Sequence, residues 1–378
     1  MSAMIIKKEV LSVADLFDYL TWRGDLTFTQ CPPNEVDALI LSGLSYIRYG
    51  DSVAKNPEVP VSLKNAAEEF FSLPDHEDRI QLKKDLELIR RAADTRRFGD
   101  ANLYGYRDVL LEEEQTQFAA VTFLLDDGTA FVAFRGTDTS VVGWKEDFNM
   151  SFMQVVPAQL MAVDYVRNLQ SELWQPLRLG GHSKGGNLAV FAAARLSPVM
   201  QQRILDVYSH DGPGFNDYLM GDVGYQAMVP RIHTYLPQSS VIGMLLEHEE
   251  PYTVIRSRQV GILQHDYYSW EVLGPHFISM EEITAGSRFL NGTLKNWLAD
   301  MTVQERSQVV DALFGLLQMG ELDSALDIFH PKNLKTYLKT LSSDGALRKL
   351  LSDEFQALVE AARKTRDQFS EETKLLEE

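Results

Sequence analysis

The stretch LRLGGHSKGGNLAVFAAARLSP, at residues 177–198, constrains the fold of this chain more than any other feature. A short apolar run leads into a hexapeptide of mostly small residues, and an alanine-rich run follows it. We predict a buried strand, a tight turn at Ser183 and then a helix. Gly181 and Gly185 have no side chain that would collide with the adjacent strand and helix in so tight a turn.

The spacing Gly-x-Ser-x-Gly between a strand and a helix is typical of a nucleophile elbow. In that turn the serine hydroxyl stands above the sheet edge, at the positive end of the following helix, where a substrate oxyanion is stabilised. The sequence therefore predicts Ser183 as a nucleophile, with the ring of His182 pointing away from the site. A turn without chemistry is the alternative, because the bare pattern occurs by chance in about one chain of this length in ten.

Strands and helices alternate on both sides of this turn. FAAVTFLLDDGTAFVAFRGT, at 118–137, reads as two strands joined by a hairpin turn at Asp126-Asp127-Gly128. A helical face follows at 162–174, and further strands are predicted at 203–209, 231–237 and 251–257. This alternation predicts an α/β fold with a mostly parallel central sheet flanked by helices.

Three regions are predicted along the chain. A helical N-terminal region (1–97) packs on a core (98–280), and a helical C-terminal region (281–378) follows. Thr302 and Glu305 have the spacing of a capping box, which indicates a helix start. We expect the C-terminal helices to pack against the core, with binding of a protein partner as the alternative.

Charge and cysteine usage exclude several classes of function. A net charge of −18 at pH 7 repels nucleic acid and anionic membranes. The single cysteine, Cys31, rules out an internal disulfide and favours a reducing compartment. No apolar run resembles a signal peptide or approaches the roughly 18 residues of a spanning helix. We therefore predict a cytoplasmic protein without a transmembrane segment, and the lack of a Cys/His cluster predicts no metal and no cofactor.

A second motif strengthens the prediction at Ser183. FVAFRGTDTSVVGWKEDF, at 131–148, ends a strand in Phe-Arg-Gly-Thr and places Trp-x-x-Asp downstream. Together with GHSKGG it resembles the class 3 lipases of the α/β-hydrolase superfamily. The resemblance implies oxyanion-hole N–H groups at Thr137 and Lys184, in a loop that is supported by Arg135, Trp144 and Asp147.

Four further segments point to a narrower group. DYLTWRGDLTF, HDGPGF, LPQSSVIGMLL and LQHDYYSW resemble a bacterial family of lipase-like α/β hydrolases called Mbeg1-like, catalogued as a domain of unknown function. This resemblance implies an α/β-hydrolase fold and a serine nucleophile. It implies no established substrate.

The general base should follow the serine and the acid along the chain, as in other members of the superfamily. His330 lies in the predicted helical tail, which leaves three histidines late enough in the sequence: His248, His265 and His276. His265 is favoured, because it follows the last predicted strand by a short loop and a tryptophan stands five residues later, as in the lipase histidine segment. A loop histidine without a catalytic role is the alternative.

The acid departs from the class 3 lipase pattern, which places an aspartate just after the seventh strand. The residues there, Leu236 to Ser240, include no carboxylate. Asp211, at the end of the sixth predicted strand, is the favoured replacement, and Glu247 is the alternative. A dyad in which Ser239 or a backbone carbonyl orients the imidazole is a third possibility.

These residues predict ester hydrolysis through an acyl-enzyme. The alternatives are a catalytically weak or inactive hydrolase fold that binds a ligand or protein, and a peptidase or thioesterase. We expect a small-molecule ester that is soluble or of medium chain length. A predicted half-buried strand at 148–156 leaves little room for a long amphipathic lid before the next helix. The Lys184 side chain is expected in solvent. The alternative is that it attracts an anionic substrate.

Overall fold

The structure, a computed structural model, describes residues 13–50, 53, 59–111, 113, 115–138, 146, 149–150, 153–302, 304–306, 308, 353 and 356–370. Its central feature is an eight-stranded sheet whose strands lie side by side in chain order. They are β1 (Val61–Ser62), β2 (Asn102–Leu111), β3 (Thr116–Leu124), β4 (Ala130–Phe134), β5 (Leu177–His182), β6 (Ile204–His210), β7 (Ile232–Pro237) and β8 (Tyr252–Ile255).

Four of the seven strand pairings, from β4 to β8, are parallel, and the three pairings from β1 to β4 are antiparallel. The predicted hairpin is present between β3 and β4, where Gly128 takes a φ of +80° that favours glycine. Every residue of β4 is buried, as expected of a strand covered on both faces. The mostly parallel sheet flanked by helices confirms the predicted fold class.

Helices cover both faces of the sheet. One face carries α1 (Leu16–Arg23), α2 (Glu35–Leu44), α3 (Leu63–Ser72), α4 (Lys83–Asp94) and α5 (Arg96–Gly99). The other carries α6 (Pro157–Glu172), α7 (Lys184–Arg195), α8 (Pro198–Gln201), α9 (Asp217–Met220) and α10 (Val223–Met228). A short hairpin, β9 (Val272–Leu273) with β10 (His276–Phe277), precedes α11 (Ala285–Ala299). None of the described helices combines the length and apolar character needed to cross a membrane.

Helix α2 anchors the N-terminal helices to the sheet. Asn34 caps it, and nine of its ten residues are buried. Its buried Asp37 accepts hydrogen bonds of 2.7 and 2.5 Å from Nε and Nη2 of Arg97. Because removing one partner of such a pair leaves a buried charge unpaired, this contact couples α2 firmly to α5.

The described C-terminal residues contact helix α11, which precedes them. The helical residues 356–370 lie against α11, where Asn296 donates a 2.8 Å hydrogen bond to Thr365. Helix α11 in turn contacts the loop after β7, since Ser287 Oγ donates to the carbonyl of Ser240. Thr302 and Glu305 form the predicted capping box, with bonds of 2.7 and 3.2 Å.

The structure describes only part of the stretch 148–156, and there the prediction of a strand is wrong. The amides of Met150 and Met153 bond to the carbonyls of Glu146 and Asn149, four residues earlier, at 3.1 and 2.8 Å. This is the spacing of a helical turn. Met150 is buried, so its side chain packs in the core and does not line an open surface.

Candidate active site

Ser183 occupies the predicted tight turn between β5 and α7. Its φ of 59° and ψ of −133° are rare for a residue with a side chain, and such backbone strain concentrates at functional sites. The Ser183 amide donates to the carbonyl of His210 at 2.9 Å, which ties the turn to β6. A Cβ at Gly181 would lie 2.2 Å from the Gly185 backbone, and one at Gly185 would lie 2.2 Å from the Phe134 carbonyl oxygen. Both glycines are therefore required by close backbone approach.

The structure places His265 against Asp211. His265 Nδ1 lies 2.6 Å from Asp211 Oδ2. The other oxygen, Oδ1, accepts hydrogen bonds from Ser240 Oγ at 2.5 Å and from the Gly243 amide at 3.2 Å. Asp211 is 1 % exposed, so these three donors are what satisfies its buried charge.

The other candidates for acid and base lie elsewhere. Glu247 is exposed and forms a 2.6 Å ion pair with Lys295. His276 projects into solvent with 68 % of its side chain exposed. His248 is buried against Glu250. Among the described residues, none of these three side chains bonds to Asp211 or His265.

Ser239 does not orient the imidazole in this structure. Its hydroxyl contacts Thr284 Oγ1 at 3.1 Å, and its amide donates to Gln264 Oε1 at 2.6 Å. Gln264 immediately precedes His265, so this contact holds the histidine segment against the loop after β7. The imidazole itself is oriented by the Asp211 carboxylate.

The prediction that the His182 ring points away from the site is wrong. Its ring centroid lies 4.5 Å from that of His265, and its Nε2 lies 2.9 Å from the His265 carbonyl oxygen. Burial lowers the pKa of His182 well below its usual range, and the neighbouring His265 and His210 rings lower it further. The neutral ring donates from Nε2, while Nδ1 accepts from the Tyr46 hydroxyl at 3.0 Å. His182 therefore holds the backbone of His265.

The loop after β4 lies directly against the elbow. A Cβ at Gly136 would lie 2.6 Å from the His182 carbonyl oxygen and 3.2 Å from Ser183 Cβ. Arg135 is buried and binds both carboxylate oxygens of Asp108 on β2, at 3.0 and 2.6 Å. The buried Thr137 follows, and its carbonyl accepts a 3.0 Å hydrogen bond from Gln81. This arrangement holds the loop beside Ser183.

Lys184 is the first residue of α7, at the positive end of the helix. The expectation that its side chain is solvated is wrong, because Lys184 is 1 % exposed. Its Nζ lies 2.9 Å from Glu146 Oε2 and 2.8 Å from Gln117 Oε1. A buried ammonium held in this way does not attract an anionic substrate. Trp144 and Asp147, which were expected to support the loop, lie outside the described residues.

Several supporting residues were missed by the sequence analysis. Glu146 joins the loop to the core, since its other oxygen accepts from the Ala158 amide at 3.1 Å. Ser240 and Gly243 supply the donors to Asp211, and Tyr46 supports His182. Glu146 stands within the quoted WKED, and Ser240 and Gly243 stand within LPQSSVIGMLL, but neither segment indicates which of its side chains contact the site, and Tyr46 lies in no quoted segment. Within the described part of the chain, no cluster of His, Cys, Asp or Glu is arranged to hold a metal ion.

The parallel sheet and its strand–turn–helix at Ser183 define a protein of the α/β-hydrolase class. The Mbeg1-like family model matches residues 92–315, which is more than half of the chain. The chain therefore belongs to the Mbeg1-like family, and the family resemblance expected from the sequence is confirmed. No curated protein matches it.

The solved structures to which the chain is similar include three lipases. Rhizomucor miehei lipase in its propeptide complex is 13 % identical over 58 % of this chain and 67 % of that one, with a TM-score of 0.36. Lipase II from Rhizopus niveus is 15 % identical over 58 % and 78 % of the two chains, with a TM-score of 0.32. M37 lipase is 12 % identical over 56 % and 68 %, with a TM-score of 0.35. Likeness at this level carries no argument about activity.

Proposed function

We propose that this protein is a serine hydrolase that cleaves carboxylic esters through an acyl-enzyme. The observation that carries the proposal is the 2.6 Å contact between His265 Nδ1 and Asp211, in a chain whose candidate nucleophile is held in a strained turn. An aspartate on Nδ1 fixes the tautomer whose Nε2 accepts a proton. It also stabilises the imidazolium that forms when the proton arrives.

In this mechanism His265 Nε2 takes the proton of Ser183 as the hydroxyl attacks the ester carbonyl. The backbone N–H groups of Thr137 and Lys184 stabilise the tetrahedral oxyanion, with the positive end of α7 behind it. The intermediate then collapses, and the imidazolium returns its proton to the departing alcohol. Water attacks the acyl-enzyme by the same sequence, which releases the acid and restores Ser183.

The substrate we propose is a soluble ester of short or medium chain length. The support lies in the connection between β4 and α6, residues 135–156. Glu146 is buried near its middle and bonded to Lys184 and to the amides of Gln117 and Ala158. A connection held to the core in this way leaves only short lengths of chain on either side for an amphipathic lid.

One observation favours a second candidate, a hydrolase fold that binds a ligand without turnover. Ser183 and His265 are both described, yet no hydrogen bond joins the serine hydroxyl to the ring. In unliganded enzymes such contacts are often long and shorten when substrate binds. The missing hydrogen bond therefore does not decide between the two candidate functions, and a measurement of reactivity does.

A fluorophosphonate probe tests the proposal directly. The adduct is expected on Ser183, located by mass spectrometry, and absent in Ser183→Ala. Ser171→Ala removes an exposed helical serine and should label like the wild type. A folded wild-type protein that takes no label supports the binding function instead.

A series of p-nitrophenyl esters tests the substrate. We expect kcat/KM to be highest for short or medium acyl chains, and His265→Ala to abolish turnover while the fold is retained. Activity confined to emulsified long-chain lipid would contradict the argument from Glu146. Turnover that survives in His265→Ala would show that the base is another residue.

A further inference from the structure

A second buried histidine–carboxylate pair contacts the loop after β7, which donates to the proposed acid. The His248 side chain is 5 % exposed and the Glu250 side chain 1 %. His248 Nδ1 lies 2.9 Å from Glu250 Oε1, and its Nε2 lies 2.6 Å from the carbonyl oxygen of Gly243. Glu250 also accepts hydrogen bonds from Thr234 Oγ1 at 2.8 Å and from the Tyr225 hydroxyl. The pair is thus fixed from both β7 and α10.

The partners of His248 determine its protonation. A carboxylate and a carbonyl are both acceptors, so each ring nitrogen needs a proton to make its bond. The ring that makes both bonds is an imidazolium paired with the Glu250 carboxylate. Burial by itself raises the pKa of Glu250, but the hydrogen bond and charge of His248, with the Tyr225 and Thr234 hydroxyls, hold it below its usual range.

Gly243 connects this pair to the proposed acid. Its carbonyl accepts from His248, and its amide donates to Asp211 Oδ1 at 3.2 Å. A Cβ at Gly243 would lie 2.3 Å from that oxygen and 2.4 Å from Leu236 Cδ2. The backbone of Gly243 can approach the carboxylate only because it is glycine, and its position sets that of Asp211.

We propose that His248 and Glu250 are positioning residues, which hold Gly243 so that its amide orients the Asp211 carboxylate toward His265. The catalytic meaning of this arrangement rests on the proposed function, but the orientation itself does not. The positioning pair (His248 with Glu250) touches neither Ser183 nor His265 in the described structure.

The two hydrogen bonds of the His248 ring can be separated by substitution. Of the residues that the structure describes, the remaining neighbours of the ring do not bond to Gly243: Tyr252 of β8 contacts the ring edge-on at 6.3 Å, and Glu247 pairs with Lys295 at the surface. In Glu250→Gln the amide donates to Nδ1, so a neutral ring keeps its Nε2–H bond to Gly243.

Two variants that differ in one donor test the proposal. Glu250→Gln keeps the ring, whereas the double variant His248→Phe with Glu250→Gln removes Nε2–H without leaving an unpaired charge. His233→Phe is the control, since it breaks another histidine–carboxylate pair, with Asp206 at 3.0 Å, whose carboxylate keeps Arg178. The readouts are the strongly downfield proton resonance of the His265–Asp211 bond, assigned by its loss in His265→Ala, and kcat/KM.

We expect Glu250→Gln to retain the resonance, because its ring still donates to the Gly243 carbonyl. The double variant should shift or broaden the resonance and lower kcat/KM about ten- to hundredfold, as displaced catalytic groups do. His233→Phe should match the wild type. A double variant with the wild-type resonance overturns the proposal, as does one equal to Glu250→Gln in kcat/KM. If the protein has no turnover and Ser183 takes no probe, the proposed function fails, while the resonance still tests the positioning.

Discussion

Replacing Asp211 by Asn tests the proposed triad with little structural disturbance. Asp211 has a φ of +51°, a region that asparagine tolerates well among residues with side chains. Oδ1 accepts from two donors, Ser240 and Gly243, whereas Oδ2 faces only His265. The asparagine should therefore keep its oxygen at the Oδ1 position and present its NH₂ group to the imidazole. That contact forces His265 to accept at Nδ1 and carry its proton on Nε2, where it cannot take the proton of Ser183.

The expected loss follows from the tautomer. In serine hydrolases the equivalent change lowers kcat by about 10⁴, with the geometry intact. That factor corresponds to about 5.5 kcal/mol in the activation free energy. The substrate does not touch Asp211 in the proposed mechanism, so KM should change little.

The assay is steady-state hydrolysis of the best p-nitrophenyl ester, with folding checked by circular dichroism. Glu247→Gln is the matched control, since Glu247 is a carboxylate on the adjacent loop that pairs with Lys295 at the surface. It should retain wild-type kcat. If Asp211→Asn stays within tenfold of the wild type, or Glu247→Gln loses as much, the assignment of the acid is wrong.

Three further predictions concern stability. Lys184→Met should lower the free energy of unfolding in urea by about 3–5 kcal/mol, because it leaves Glu146 buried and unpaired, and adding Glu146→Gln should recover part of the loss. Ser183→Gly should melt at a higher temperature than Ser183→Ala, because glycine relieves the backbone strain of about 1–3 kcal/mol; equal melting temperatures would count against strain at the elbow. Burial lowers the pKa of His210 to about 3, so the unfolded chain, at about 6.5, takes up the proton first as the pH falls. The contribution of His210 to the free energy of unfolding is full above pH 6.5 and is lost toward pH 3. In His210→Phe the urea midpoint should therefore fall less steeply over this pH range. An unchanged slope would show that His210 is protonated in the folded protein.

The elbow and the strands around it could be predicted from the sequence because their signals are local. Gly181 is required by its contact with the Gly185 backbone four residues later, and the hairpin at Gly128 needs only its own turn. Asp211 was favoured over Glu247 from its place at the end of a strand, and the structure brings Asp211 to His265. Its role as the acid stays a prediction until the variants are measured.

The environment of Lys184 could not be predicted in the same way. A lysine in isolation is expected in solvent, and only a partner justifies its burial. That partner, Glu146, lies 38 residues earlier and reaches the ammonium through the packing of β3, α6 and α7. The ring of His182 presents the same difficulty, because its contacts with Tyr46 and His265 depend on how α2 and the loop after β8 meet the elbow.

The position of the proposed acid explains why the loop after β7 has no carboxylate at the expected place. By the resemblance to class 3 lipases, an aspartate is expected just after the seventh strand, where this chain has Leu236 to Ser240. Here the carboxylate comes from the end of β6, and the loop after β7 supplies donors to it through Ser240 and Gly243. The two arrangements place opposite chemistry on the same loop: an acceptor in one case, and a hydroxyl and an amide in the other. A search for a carboxylate in that loop therefore finds nothing, although the loop donates hydrogen bonds to the carboxylate that contacts His265.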